Sequence, residues 1–132
     1  SLDKELSTVN FFFCNDKLPK ELKKGFYIIN LSSSDTEGSH WTALYYDKNK
    51  SIYFDSYGYV APLEVHNKIY PYIYNKKDIQ DLYSTACGYY CLAFIIYLYN
   101  YGANVNSFTS FINLFTNDTK KNDLILYHLL YN

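Results

Sequence analysis

Gln80-Asp81-Leu82-Tyr83-Ser84-Thr85-Ala86-Cys87-Gly88-Tyr89-Tyr90-Cys91 leads into an uncharged run, Tyr89 to Tyr101, that ends at Gly102. A run of this length with no charge and a terminal glycine predicts a buried helix. Cys87 then stands at its N-terminus. Unsatisfied backbone N–H groups and the positive end of the helix dipole stabilise a thiolate there and lower the thiol pKa. A free Cys is equally well a small buried hydrophobe, so this stretch alone does not decide between packing and chemistry.

The strands that would face this helix precede it. Gly25-Phe26-Tyr27-Ile28-Ile29-Asn30-Leu31 is apolar and partly β-branched, as expected of a strand covered on both faces. His40 to Tyr46 and Ser51 to Asp55 read as a hairpin closed by Asp47-Lys48-Asn49-Lys50. With Asp47 opposite Lys50, Asp55 lies opposite Thr42, and Thr42 shares a face with His40. His40 and Asp55 become diagonal neighbours, within reach of a hydrogen bond. Read singly, His40 is a strand-end histidine and Asp55 a strand-terminating acid; their shared face gives the pair its meaning.

A cysteine nucleophile needs a base in hydrogen-bond reach, a group to orient that base, and donors for the developing oxyanion. His40, Asp55 and Cys87 supply the first three parts in that chain order, and the Gln80 side chain with the Cys87 N–H would supply the donors. His66 falls among polar residues of one expected helix and reads as a surface side chain, and His128 in the last expected helix reads as a satisfied or exposed one. The remaining segments are an apolar run from Asn10 to Cys14, a turn or helix start at Leu18-Pro19, and a polar surface loop over 32–38. A short helix over 61–70 has Pro62 near its first position. An extended segment over 71–79 delivers Gln80. Helices over 107–115 and 122–131 follow, the second with Asn122 as N-cap and Leu124, Leu126, Tyr127, Leu130 and Tyr131 at helical spacing. The expected fold class is α+β: a small, mainly antiparallel sheet packed against helices, as one domain over 1–132, with residues 1–10 loosely held.

Composition narrows the function. The 132 residues, 48% of them apolar, suffice for one core and not two. All twelve basic residues are Lys, the net charge is −1, and no basic cluster exceeds two residues, so nucleic-acid binding is not expected. Three cysteines, at 14, 87 and 91, form no disulfide framework, and no His or Cys spacing suits zinc, so a reducing compartment without metal or other cofactor is expected. No apolar run reaches the length of a membrane span, and the charged start Ser1-Leu2-Asp3-Lys4-Glu5 is no secretory leader. A chain starting at Ser1 reads as a processed product or a fragment. A soluble monomer is expected.

Gly38-Ser39-His40-Trp41, then Phe54-Asp55-Ser56-Tyr57-Gly58, then Gln80 seven positions before Cys87 in Ser84-Thr85-Ala86-Cys87-Gly88, resemble the adenovirus-type cysteine endopeptidases. That group is related to the SUMO-specific proteases; the closest flavour is that encoded by Polinton (Maverick) elements and virophages. Asn15 to Pro19 and Gly25 to Asn30 extend the resemblance, which runs from about residue 11 to 100. It implies a central sheet carrying His40 and Asp55 against a core helix that starts at Cys87. It also implies roles: His40 as general base, Asp55 as its orienting carboxylate, Cys87 as nucleophile and Gln80 as oxyanion donor, with Trp41, Gly38 and Ser39 at the substrate. Asp55 stands where adenoviral members carry Glu, as in the SUMO-protease branch. No Cys precedes Gln80 in position to hold an activating peptide, and no basic surface offers a DNA cofactor a site. The implied activity is cleavage near Gly in capsid or other virion precursors, in host cytoplasm, viral factory or virion. Removal of ubiquitin-like modifiers, acetyl transfer and a silent binding module are the alternatives.

Overall fold

A computed structural model of the chain describes residues 9–12, 18–31 and 40–131. Five segments are extended: Asn10–Phe12 (β1), Gly25–Asn30 (β2), Trp41–Tyr46 (β3), Ser51–Phe54 (β4) and Tyr72–Tyr74 (β5). They form one sheet in the order β1-β2-β3-β4-β5. The three central strands pair antiparallel, and each edge strand joins parallel. Among the described residues four α-helices accompany the sheet: Leu63–Ile69 (α1), Cys87–Tyr101 (α2), Val105–Asn113 (α3) and Asn122–Tyr131 (α4). The class is therefore α+β with a mainly antiparallel sheet.

The alternation of side chains explains why Phe26 to Ile29 of β2 are apolar without a break. Phe26 and Ile28 join the larger core with Ala43, Ile52 and Phe54, against Phe94, Ile95 and Leu98 of α2 and Phe108 and Phe111 of α3. Tyr27 and Ile29 join Leu44 and Tyr53 on the opposite face, where Val65 and Ile69 of α1 cover them. Both faces are buried, so neither sequence parity can be polar. In α2, Cys87, Cys91, Phe94 and Leu98 recur at three- and four-residue intervals and are all buried. Phe94 stacks on Phe54 with ring centroids 5.2 Å apart, and Phe111 meets Phe54 edge-on at 5.5 Å. Such aromatic pairs are worth about 0.5–1.5 kcal/mol beyond their area. They dock the middle of α2, and α3, against β4.

The hairpin pairs Ala43 with Phe54, Leu44 with Tyr53 and Tyr45 with Ile52, the register the four-residue turn implied. Gly102 ends α2 at φ 109°, a conformation that favours glycine.

Several local expectations change. Val9 and Asn10 are not loose: Val9 packs on the core, and Asn10 opens β1 with its Nδ2 donating to the Phe26 carbonyl at 3.2 Å. The helix expected over 61–70 spans only Leu63–Ile69, with Pro62 just before it. The segment after β5 leaves the sheet before Asp78. His66 is half-buried rather than a surface side chain, its Nδ1 2.8 Å from the Tyr72 hydroxyl. The helix expected over 107–115 begins two residues earlier, because Asn104 caps it by accepting from the Ser107 N–H at 2.9 Å. Asn122 does not cap α4. Its buried amide points out of the helix, accepting from the Thr116 N–H at 2.9 Å and donating to the Ile79 carbonyl at 2.8 Å. Residues 1–8, 13–17 and 32–39 lie outside the described residues; with them go Cys14, the expected surface loop, and Gly38 and Ser39.

Candidate active site

Three elements converge at one end of the sheet. His40 immediately precedes β3, Asp55 immediately follows β4, and Cys87 is the first residue of α2. Because β3 and β4 are hairpin partners, His40 Nε2 meets Asp55 Oδ1 at 2.8 Å. The Asp55 side chain is 2% exposed and that of His40 20%. A carboxylate so deeply buried needs partners. Oδ1 also accepts the Tyr57 N–H at 2.8 Å, while the Asn75 amide clasps the Asp55 backbone, accepting its N–H at 3.2 Å and donating to its carbonyl at 2.6 Å. Tyr57 lies over the His40 ring with centroids 4.9 Å apart. The imidazole is held on its edge and on one face.

The tautomer follows. In the neutral ring the proton sits on Nε2, facing the carboxylate, and Nδ1 keeps its lone pair. Nδ1 is buried and makes no hydrogen bond of ordinary length, yet the ring and the Cys87 thiol shift each other's titration. The thiol lies beside the ring without being drawn onto it; contacts of this kind are often long before substrate binds.

The electrostatics reverse the usual order of the two groups. Burial disfavours a charged His40, but the Asp55 hydrogen bond and the charges of Asp55 and Cys87 outweigh it and raise the pKa from 6.5 to about 9. Burial likewise opposes a Cys87 thiolate. Hydrogen bonds from His40 and from the backbone N–H groups of Trp41 and Gly88, with the charge on His40, overcome that and lower the thiol below its usual 9.0. Both shifts favour a thiolate facing an imidazolium. Ala86, the residue before α2, provides no capping side chain, so no side chain competes for the helix N-terminus.

Trp41 sits beside the thiol through its backbone, and its indole lies 3.9 Å from where a Gly88 side chain would begin. Gln80 is 1% exposed and committed at both ends of its amide: Oε1 accepts from Ser56 Oγ, and Nε2 donates to the Ser84 carbonyl at 2.9 Å. Nε2 carries a second hydrogen. Cys91 is fully buried one turn after Cys87, and burial raises its pKa well above 9.0. It belongs to the core.

Sequence reasoning missed Asn75, and no local signal marks it; only the pairing of β5 beside β4 brings it under Asp55. It also assigned no part to Ser56 or Tyr57, although both adjoin Asp55. Among the described residues no group of three or more His, Cys, Asp or Glu could hold a metal ion, and no helix is long and apolar enough to cross a membrane. No protein-family model matches the chain, and no curated protein matches it either.

Proposed function

We propose that the chain is a thiol hydrolase acting on peptide bonds. More narrowly, it is an endopeptidase of the adenovirus type that cuts next to Gly in capsid or other virion precursors, working in the host cytoplasm, viral factory or virion. The observation that carries the reading is a single histidine held by a buried carboxylate on Nε2, beside a helix-terminal thiol whose titration it shifts. An aspartate–histidine pair in a structural role has no need of a cysteine whose pKa it depresses.

In the reaction the thiol proton resides on His40 Nδ1 and the Cys87 sulfur attacks the carbonyl carbon of the substrate. The carbonyl oxygen becomes an oxyanion facing the Cys87 N–H and Gln80 Nε2. As the C–N bond breaks, the departing amine takes the proton from His40 Nδ1, leaving an acyl thioester on Cys87. His40 then removes a proton from water, whose oxygen attacks the thioester and releases the carboxylic product and the thiolate. Asp55 keeps the ring oriented and offsets its charge throughout. Trp41, beside Gly88 at the start of α2, forms a wall near the sulfur, and a wall so close favours substrates without a side chain there.

The test is digestion of a diverse peptide library by the purified chain, read by mass spectrometry, with Cys87→Ala as control. Cuts at Gly-containing sites that disappear in the variant are expected. Identical cuts in the variant would sink the assignment, and turnover only on a ubiquitin-like protein ending in Gly-Gly would move the substrate from precursors to modifiers.

A further inference from the structure

Gln80 is held by a set of contacts that extends well beyond the three residues of the thiol site. The Ser56 carbonyl accepts the N–H groups of both Ile79 and Gln80, each at 2.9 Å, and Ser56 Oγ donates to Gln80 Oε1. Ser56 has no exposed surface. At the other end Gln80 Nε2 donates to the Ser84 carbonyl. Ser84 is fixed in turn: its Oγ donates to the Asp123 carboxylate at 2.8 Å and accepts the Ala86 N–H at 3.2 Å. The chain of contacts thus runs from the residue after Asp55, through Gln80, to the residue before Cys87.

The orientation of the amide is determined by this set. Were the amide turned over, Oε1 would face the Ser84 carbonyl, acceptor against acceptor, so the Ser84 side must hold nitrogen. The oxygen then faces Ser56, whose hydroxyl is its donor. Without that hydroxyl Oε1 would be a buried acceptor with nothing to accept from, and turning the side chain away would relieve it.

We propose that Ser56 is a positioning residue for the oxyanion donor: its hydroxyl fixes the Gln80 carboxamide so that the one uncommitted hydrogen of Nε2 is held in place for the substrate oxygen. This rests on the peptidase reading for its purpose but not for its test. Ser56 touches neither the reacting sulfur nor the substrate, and it acts only through Gln80. Placing it directly after Asp55 couples the group that orients the base to the group that receives the negative charge, since one short segment holds both.

Two reagents separate this role from a structural one. Nitrophenyl acetate acylates Cys87 through a tetrahedral oxyanion: the sulfur–acyl bond forms, the ester C–O bond breaks and nitrophenolate leaves. Iodoacetamide alkylates the same sulfur by displacement at a saturated carbon, with no oxyanion. The ratio of the two rates, followed by intact mass on the full chain, reports oxyanion stabilisation and cancels changes in thiolate content. It is measured in the wild type, Gln80→Ala, Ser56→Ala and the double variant. Loss of one oxyanion donor is worth about 100- to 1,000-fold in related chemistry, and we expect the ratio to fall about 10- to 100-fold in Gln80→Ala and Ser56→Ala. The double variant should fall no further than Gln80→Ala alone. An unchanged ratio in Ser56→Ala, an unchanged ratio in Gln80→Ala, or losses that multiply in the double variant would each overturn the proposal. Should Ser56→Ala fail to fold, Ser56→Cys keeps the size with a weaker donor and is read the same way. A wild type that shows this pattern but cleaves no peptide would refute the peptidase reading and leave the positioning role standing.

Discussion

Replacing Asp55 by Asn tests the charge on which the thiol site depends. The Asn side-chain oxygen can still accept from His40 Nε2 and from the Tyr57 N–H, the two bonds Asp55 Oδ1 makes at 2.8 Å, so the shape of the site survives and only the charge is lost. His40 is raised to about 9 against its burial by Asp55 and Cys87 together. Without the carboxylate its pKa falls toward the 6.5 of a free imidazole. At about pH 7.5 a ring titrating near 9 is charged in almost every molecule, and one returned to about 6.5 in about a tenth of them. The imidazolium is also what depresses Cys87, so the thiolate declines with it. The assay is iodoacetamide alkylation as a function of pH, with the label mapped to Cys87; Cys91, fully buried and with its pKa raised, serves as the internal unreactive thiol. In the wild type the rate at neutral pH should already exceed that of an ordinary thiol. In Asp55→Asn it should be about tenfold lower there, with its rise displaced toward the ordinary thiol range. Superimposable profiles would refute the coupling of Asp55 to the thiol.

Further outcomes follow from the same contacts. The two shifts are opposite in sign, so between about pH 6.5 and 9 the pair adds less slope to stability against pH than either group would alone. Taken singly, raised His40 contributes stability that is full below 6.5 and lost on the way to about 9, while lowered Cys87 contributes stability that grows toward 9.0. Denaturant titrations of Cys87→Ala should therefore reveal a falling His40 slope, over a window that ends below 9 because only Asp55 is left to raise the ring. Asn122→Ala leaves the buried Ile79 carbonyl without its bond and should cost about 1–3 kcal/mol in chemical denaturation. Gly58→Ala should lower the melting temperature through a penalty of at least about 1 kcal/mol, since Gly58 holds φ +81° and a Cβ would lie 2.9 Å from the Lys77 backbone.

Much of this site was legible because its geometry is local. The hairpin turn set the register, and the register alone put His40 and Asp55 on one face. The uncharged run to Gly102 located the helix and hence the environment of Cys87. What escaped the sequence is what depends on contacts between distant segments. Asn75 lies twenty residues from Asp55 and reaches it only because β5 joins the sheet parallel to β4. Asn122 was placed as a cap from its position ahead of an apolar pattern, but a 3-10 turn over Thr119–Lys121 leads into α4 and frees its amide for the Ile79 carbonyl. His66 looked solvent-facing because its neighbours are polar, although Tyr72 waits across the turn. The roles of Ser56 and Ser84 were hidden for another reason: one small hydroxyl in a motif says nothing about which amide it will meet.

In the proposed function Cys87, activated by His40, forms an acyl bond to a polypeptide. Covalent capture tests it most directly, using a Gly-Gly peptide whose C-terminal carboxyl is replaced by a thiol-reactive electrophile and intact mass as the readout. One adduct per chain is predicted, mapped to Cys87 and strongly reduced in His40→Ala. An adduct on any other residue, or equal labelling of Cys87 in His40→Ala, would contradict it.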